Sequence, residues 1–229
     1  RVTQTLHNTT ASTVNWSIWE ISQVHCPDNQ NYWAYFPAVP GSAFGDSGYV
    51  GLTGDTDDPG IFPRYREGIS AVQYRGSDFK IGSDADWLCF VDEAGGYAFA
   101  KTFDTLALST YPDQGSRIQV FSANFNPFME TEVLSPITDV PAGGSYTFVA
   151  DWYLARTHGP ILDMNGAGLV ARRLAVNGAQ VSGAYGVFHT GRVDLMFDNS
   201  AVAIATWQVT PLDSLVINEV AAVPEFATL

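Results

Sequence analysis

Two glutamates two residues apart, Glu130 and Glu132 in the segment METEVLSP, are the strongest candidates for acid–base chemistry. On an extended strand both point to one face, so they repel each other; on a concave surface one would hold its proton above the usual range. The bland alternative is a solvated outer face. A partner acid is harder to find. His25, just before Cys26 and Pro27, can lie at a sheet rim beside a long loop; His7, His158 and His189 have no carboxylate or serine at a telling spacing. Binding chemistry has more material. Trp19, Trp33, Tyr35, Phe36, Tyr65 and Trp87 are flat platforms, and Glu20, Arg64, Arg66 and Glu132 supply polar contacts. That mixture suits a ligand with apolar faces and a rim of hydroxyls, as in sugars. Lys80 is one of only two lysines, so it is a candidate for an acidic sugar or for an ordinary salt bridge. No nucleophile elbow, HExxH or phosphate loop occurs.

The elements that must position these residues are strands. SYTFVADWYLA, YAFAKTF and GRVDLMF alternate apolar and polar residues with period two. VTQTLHN, TVNWSIWEISQV, RIQVFSA, METEVLS, AVAIATWQV and LVINEVAAV are short, rich in β-branched or aromatic residues, and bounded by turn formers. No capped amphipathic helix longer than two turns is visible. The fold class is therefore all-β with packed antiparallel sheets. Residues 37–63, rich in Gly and Pro, suggest a long loop or a pair of loops. Trp16, Trp87 and Trp152, on strong strands, suit the core. A boundary near Arg156 divides an N-terminal portion, 1–155, from a C-terminal stretch, 156–229, sized for an Ig-like β-sandwich.

The chain has 229 residues, with 11 basic and 24 acidic side chains, a formal charge of −13 and 46% hydrophobic residues. That content excludes disorder, and no apolar run is long enough for a membrane helix. A surface this acidic repels phosphate backbones, so nucleic acid is not an expected partner. The Lys-poor acidic composition suggests export, placing the protein as secreted, periplasmic or on the cell surface. Cys26 and Cys89 are either a bridge or two buried thiols, and two cysteines make no zinc site. No cofactor is expected. Calcium is the one ion that oxygen-rich loops such as DTDDPG and GSDADW suggest, although neither has the EF-hand layout. Asn8 and Asn15 begin Asn-x-Ser/Thr sequons.

The segments NWSIWEISQV, FKIGSDADWL, YPDQGSRIQV and FMETEVLSPITDVPAGGSYTFVADWYL, taken in order, resemble the galactose-mutarotase-like β-supersandwich group over residues 1–155. The nearest likeness is to a mostly exported bacterial branch of no established function. The resemblance implies a β-(super)sandwich and places Glu132 nearest the catalytic Glu of the sugar epimerases. It places Trp19 where those enzymes carry their catalytic His, and an indole has no proton to exchange at neutral pH. It also implies that the first half of the supersandwich precedes Arg1, so a second chain supplying an N-terminal half is an expected partner. Three functions follow as expectations. The first is a carbohydrate-recognising or carbohydrate-processing protein with Trp19, Trp33, Tyr35, Arg64, Tyr65 and Lys80 on the ligand. The second is an epimerase, lyase or hydrolase using Glu132, Glu130 and His25. The third is a structural subunit of an extracellular assembly.

Overall fold

The computed structural model describes residues 1–106, 110–197 and 202–220. In chain order the strands are β1 (Val2–His7), β2 (Val14–Trp16), β3 (Trp19–His25), β4 (Tyr32–Pro37), β5 (Val50–Gly54), β6 (Ile61–Arg66) and β7 (Ile69–Gln73). They continue as β8 (Phe79–Ser83), β9 (Trp87–Asp92), β10 (Tyr97–Phe103), β11 (Ile118–Ser122), β12 (Phe128–Leu134), β13 (Thr138–Val140) and β14 (Ser145–Arg156). The last six are β15 (Asp163–Asn165), β16 (Gly168–Asn177), β17 (Gln180–Val187), β18 (Gly191–Met196), β19 (Ala203–Val209) and β20 (Ser214–Val220). The described residues form an all-β, antiparallel structure, with no helix long and apolar enough to cross a membrane. The chain divides into two compact units, Arg1–Gly95 with Phe99–Tyr153, and Gly96–Ala98 with Leu154–Leu229.

Unit 1 is a sandwich. One sheet has the order β1-β14-β10-β9-β4-β7-β6, the other β3-β12-β11-β8-β5, and β13 with β2 forms a small ribbon. Alternation decides which side chains enter the space between the sheets. Ala34, Phe36, Val72, Leu88, Phe90 and Phe148 come from the first sheet; Phe79, Ile81, Ile118, Val120, Met129 and Val133 come from the second. β7 and β9 are buried along nearly their whole length, so they read as continuous apolar runs. A buried ion pair crosses this interior: Lys101 Nζ donates to Glu20 at 3.1 and 2.8 Å and to the Thr131 carbonyl at 2.7 Å. The ammonium also lies over the Phe99 and Trp152 rings. Burial pulls the Lys101 pKa down against the pull of Glu20.

Close approaches fix two corners of unit 1. A Cβ on Gly82 would sit 2.0 Å from Ser116 Oγ, so only glycine admits the 112–116 turn over β8. Asn8 is 4% exposed, and its amide donates to the Ser12, Val140 and Pro141 carbonyls, tying the chain after β1 to β13.

Two expectations are corrected here, and one left open is decided. Residues 37–63 are not only loops: they hold a 3-10 turn at Gly45–Ser47, all of β5 and the start of β6. Glycines at 48, 51 and 54 masked the period of this edge strand. Trp87 is interior, whereas Trp16, on the two-stranded ribbon, is 60% and Trp152 39% exposed. Cys26 and Cys89 form no bridge, being two separate buried thiols.

Unit 2 pairs a four-stranded sheet, β15-β16-β17-β20, with the hairpin β18-β19. Its core joins Val181, Val187, Leu215 and Ile217 to Leu195 and Val209. An apolar cavity of about 300 Å³ remains beside Leu169, Val187, Leu195 and Ile217.

Candidate functional site

On β12 the core takes Met129 and Val133, so Glu130 and Glu132 project from the opposite, outer face of the five-stranded sheet. Register brings others to that face. Glu132 stands opposite Ile21 of β3 and Gln119 of β11, while Trp19 stands opposite Leu134. Trp19 is thus a diagonal neighbour of Glu132, within reach of a long side chain. One strand beyond β11, Lys80 stands opposite Phe121. The result is a compact triad. The Trp19 indole N–H donates to Glu132 Oε2, Lys80 Nζ lies 2.9 Å from the same oxygen, and that ammonium sits 4.3 Å from the Trp19 ring centroid.

Exposure is graded through the triad. Trp19 is 52% exposed and the Lys80 side chain 16%, while the Glu132 side chain is fully buried. Burial raises the Glu132 pKa; the Lys80 and Trp19 hydrogen bonds and the Lys80 charge oppose this, and the Glu130 charge adds slightly to it. Glu132 Oε1 and Gln119 Oε1 are buried with no hydrogen-bond partner. The other end of Gln119 donates through Nε2 to Asp113 Oδ2 at 2.6 Å. Glu132 Oε2 thus lies between the Lys80 ammonium and the Trp19 indole N–H.

The other expected acid–base residues do not converge on Glu132. Glu130 accepts from Gln23 Nε2 at 2.9 Å. His25 stands opposite Phe128, four residues along β3 from the partner of Glu132, or about 13 Å at the usual rise.

Trp33, Tyr35, Tyr65 and Arg64 lie elsewhere, on the seven-stranded sheet. Trp33 stacks on Tyr35 at 6.0 Å and meets Phe62 at 5.5 Å and Tyr65 at 5.6 Å. Tyr35 is buried, and burial pushes its phenol pKa up. Arg64 pairs with Asp46 at 2.7 Å, and both line a cavity of about 480 Å³ with residues of the 38–45 loop. Three residues expected on a ligand are interior: Phe36 is in the core, Tyr35 is 2% exposed, and Glu20 is committed to Lys101, while Trp87 is buried as its strong strand suggested. Phe62, Gln119 and Asp46 join these clusters without having been singled out in the sequence. Only Phe62 left a local signal, the aromatic pair in IFPRYR.

Among the described residues no group of three or more His, Cys, Asp or Glu side chains could hold a metal ion. In the oxygen-rich loops Asp58 Oδ1 accepts from Gly60 N–H, and Asp84 accepts from Ser42 and the Ala43 N–H.

No known protein family matches the sequence, and no curated protein does. Solved structures give distant likenesses. The Slr1438 protein of Synechocystis sp. PCC 6803 is 10% identical with a TM-score of 0.42, covering 67% of this chain and 50% of that one. A proposed aldose 1-epimerase from Klebsiella pneumoniae subsp. pneumoniae MGH 78578 is 13% identical with a TM-score of 0.42, covering 68% and 42%. A galactose mutarotase-like protein from Lactobacillus casei ATCC 334 is 10% identical with a TM-score of 0.41, covering 66% and 57%. This chain spans about half the length of these structures, and the likeness is a distant one of fold alone.

Proposed function

We propose that unit 1 is a carbohydrate-recognition module of an exported protein, with the saccharide lying over Trp19 on the outer face of the five-stranded sheet. The observation that carries this reading is an indole half open to solvent and fixed in orientation by a buried carboxylate. A flat apolar surface held this way loses little rotamer freedom on binding and suits the CH-rich face of a pyranose. Gln23, Glu130 and Lys80 supply donors and acceptors around it. The resemblance in sequence to the mutarotase-like group points to the same ligand class, and unit 2 is taken as an appended Ig-like sandwich.

Recognition fits the triad better than turnover. Ring opening needs one group to give a proton and another to take one. Glu132 Oε2 already accepts from two donors, and Trp19 offers no titratable proton near neutrality. Glycan-array binding followed by calorimetry tests the proposal: Trp19→Ala is expected to weaken the best ligand at least about tenfold. Binding indifferent to that change overturns it. Sugar turnover that Glu132→Gln abolishes replaces it with the enzyme reading, which the raised pKa of Glu132 favours.

A further inference from the structure

We infer that the outer face of the seven-stranded sheet carries a second binding surface, an aromatic shelf edged by arginines that takes a carboxylated saccharide. Ala34 and Phe36 of β4 point into the core, so Trp33 and Tyr35 point out. Phe62 joins them because it stands opposite Ala71, the register partner of Tyr35. By simple alternation Tyr65 would face away from Phe62. A bulge reverses this. Phe62 pairs with Ala71 and Arg66 with Ile69, leaving three residues of β6 across from Ser70 alone. Arg64, inside the bulge, takes φ +51, a strained value for a side chain of its size. The Tyr65 ring consequently lies 5.7 Å from Phe62 and 5.6 Å from Trp33. Strain that re-aims one side chain at a sheet edge is a feature associated with function.

Charge selects the ligand. Arg66 lies 5.6 Å over the Tyr65 ring and Arg75 5.6 Å over Phe62. Arg75 also donates twice to Gln73 Oε1, and Arg64 is held by Asp46. Neither Arg66 nor Arg75 has a carboxylate partner among the described residues, in a chain with 24 acidic side chains. Two unpaired guanidiniums beside three half-buried rings match a ligand with both carboxylates and CH-rich faces, because the fork binds the first and the rings the second. An added peptide strand does not fit: β6 ends the sheet order, but Pro63 and the bulge break its free edge. A polyphosphate chain has no CH-rich face to lie against the three rings.

Calorimetry with polygalacturonate as the probe tests the inference, using the full chain. The expected result is binding that weakens as salt rises. Arg66→Gln with Arg75→Gln together should weaken it at least about tenfold, and Tyr65→Ala about tenfold. In the Trp19→Ala background the two-arginine change should weaken binding by the same factor, so failure here is distinguishable from failure of the Trp19 site. Unchanged circular dichroism of the two-arginine variant, whose changes are at the surface, separates lost binding from lost fold. The inference is overturned by no binding, by equal binding of fully methyl-esterified polygalacturonate, by binding that survives both sets of changes, or by poly-glutamate binding as tightly.

Discussion

Replacing Lys101 by methionine should cost unit 1 a large part of its stability. Both partners of the Lys101–Glu20 pair are at most 3% exposed, and the ammonium makes three short contacts. Methionine keeps the volume but removes the charge, leaving a buried carboxylate that accepts from the Ser22 hydroxyl at 2.9 Å. Breaking one side of a buried pair costs about 3–5 kcal/mol. Against a total of about 5–15 kcal/mol for a domain, that is a fifth or more of the reserve. The double change Lys101→Met with Glu20→Leu removes both charges and should fall within about 1–2 kcal/mol of the parent, since apolar replacements of buried pairs are often neutral. Urea unfolding followed by tryptophan emission is the assay, because five of the six tryptophans lie in unit 1. With a slope of about 2 kcal/mol per molar, the single variant should lose roughly 2 M of midpoint. A single variant within 1 kcal/mol of the parent, or a double variant as damaged as the single, would refute the account of this pair.

Other expectations follow from the same geometry. Because the folded Glu132 pKa is raised, the folded state holds a proton that the unfolded state releases, so this group's contribution falls as pH rises from about 4.5 through the raised value. The difference in urea midpoint between the parent and Glu132→Gln, measured from pH 4 upward, should carry that slope; a flat difference removes the assignment. Burial pushes the Cys26 thiol up to about 12 and also raises that of Cys89. A thiol reagent should therefore find no rapidly reacting group in the native protein and two after unfolding; immediate native labelling would contradict the burial. Gly82→Ala forces a Cβ against Ser116 and should cost about 1–3 kcal/mol, read as a lower thermal midpoint.

How much of this was legible beforehand depended on distance along the chain. The alternation in β14 and β12 named their strands and put Glu130 and Glu132 on one face, because side-chain period is a local property. β5 was hidden among glycines and the GDTDDPG turn. The pairing of Lys101 with Glu20, 81 positions apart, depends on which strands oppose each other across the sandwich, and no local pattern encodes that. Lys80 was expected to meet either a sugar or an aspartate, yet it found Glu132 through the order β12-β11-β8. The grouping of Trp33, Tyr35 and Tyr65 apart from Trp19 likewise follows from sheet membership. The bulge that turns Tyr65 outward left no sign beyond Pro63.

The side chain of Asn8 bears on how the protein can be produced. Asn8-Thr9-Thr10 is an acceptor for N-linked sugar in a eukaryotic secretory pathway, where the sugar is added before the chain closes up. A modified amide keeps a single hydrogen and could not serve the three carbonyls it now holds, nor would a bulky glycan fit a position so enclosed. Asn15, on the exposed ribbon beside Asp139, has room for one. Yeast or mammalian secretion should thus divide the product into a folded form unmodified at Asn8 and a glycosylated form that fails quality control, whereas a bacterial host avoids the division.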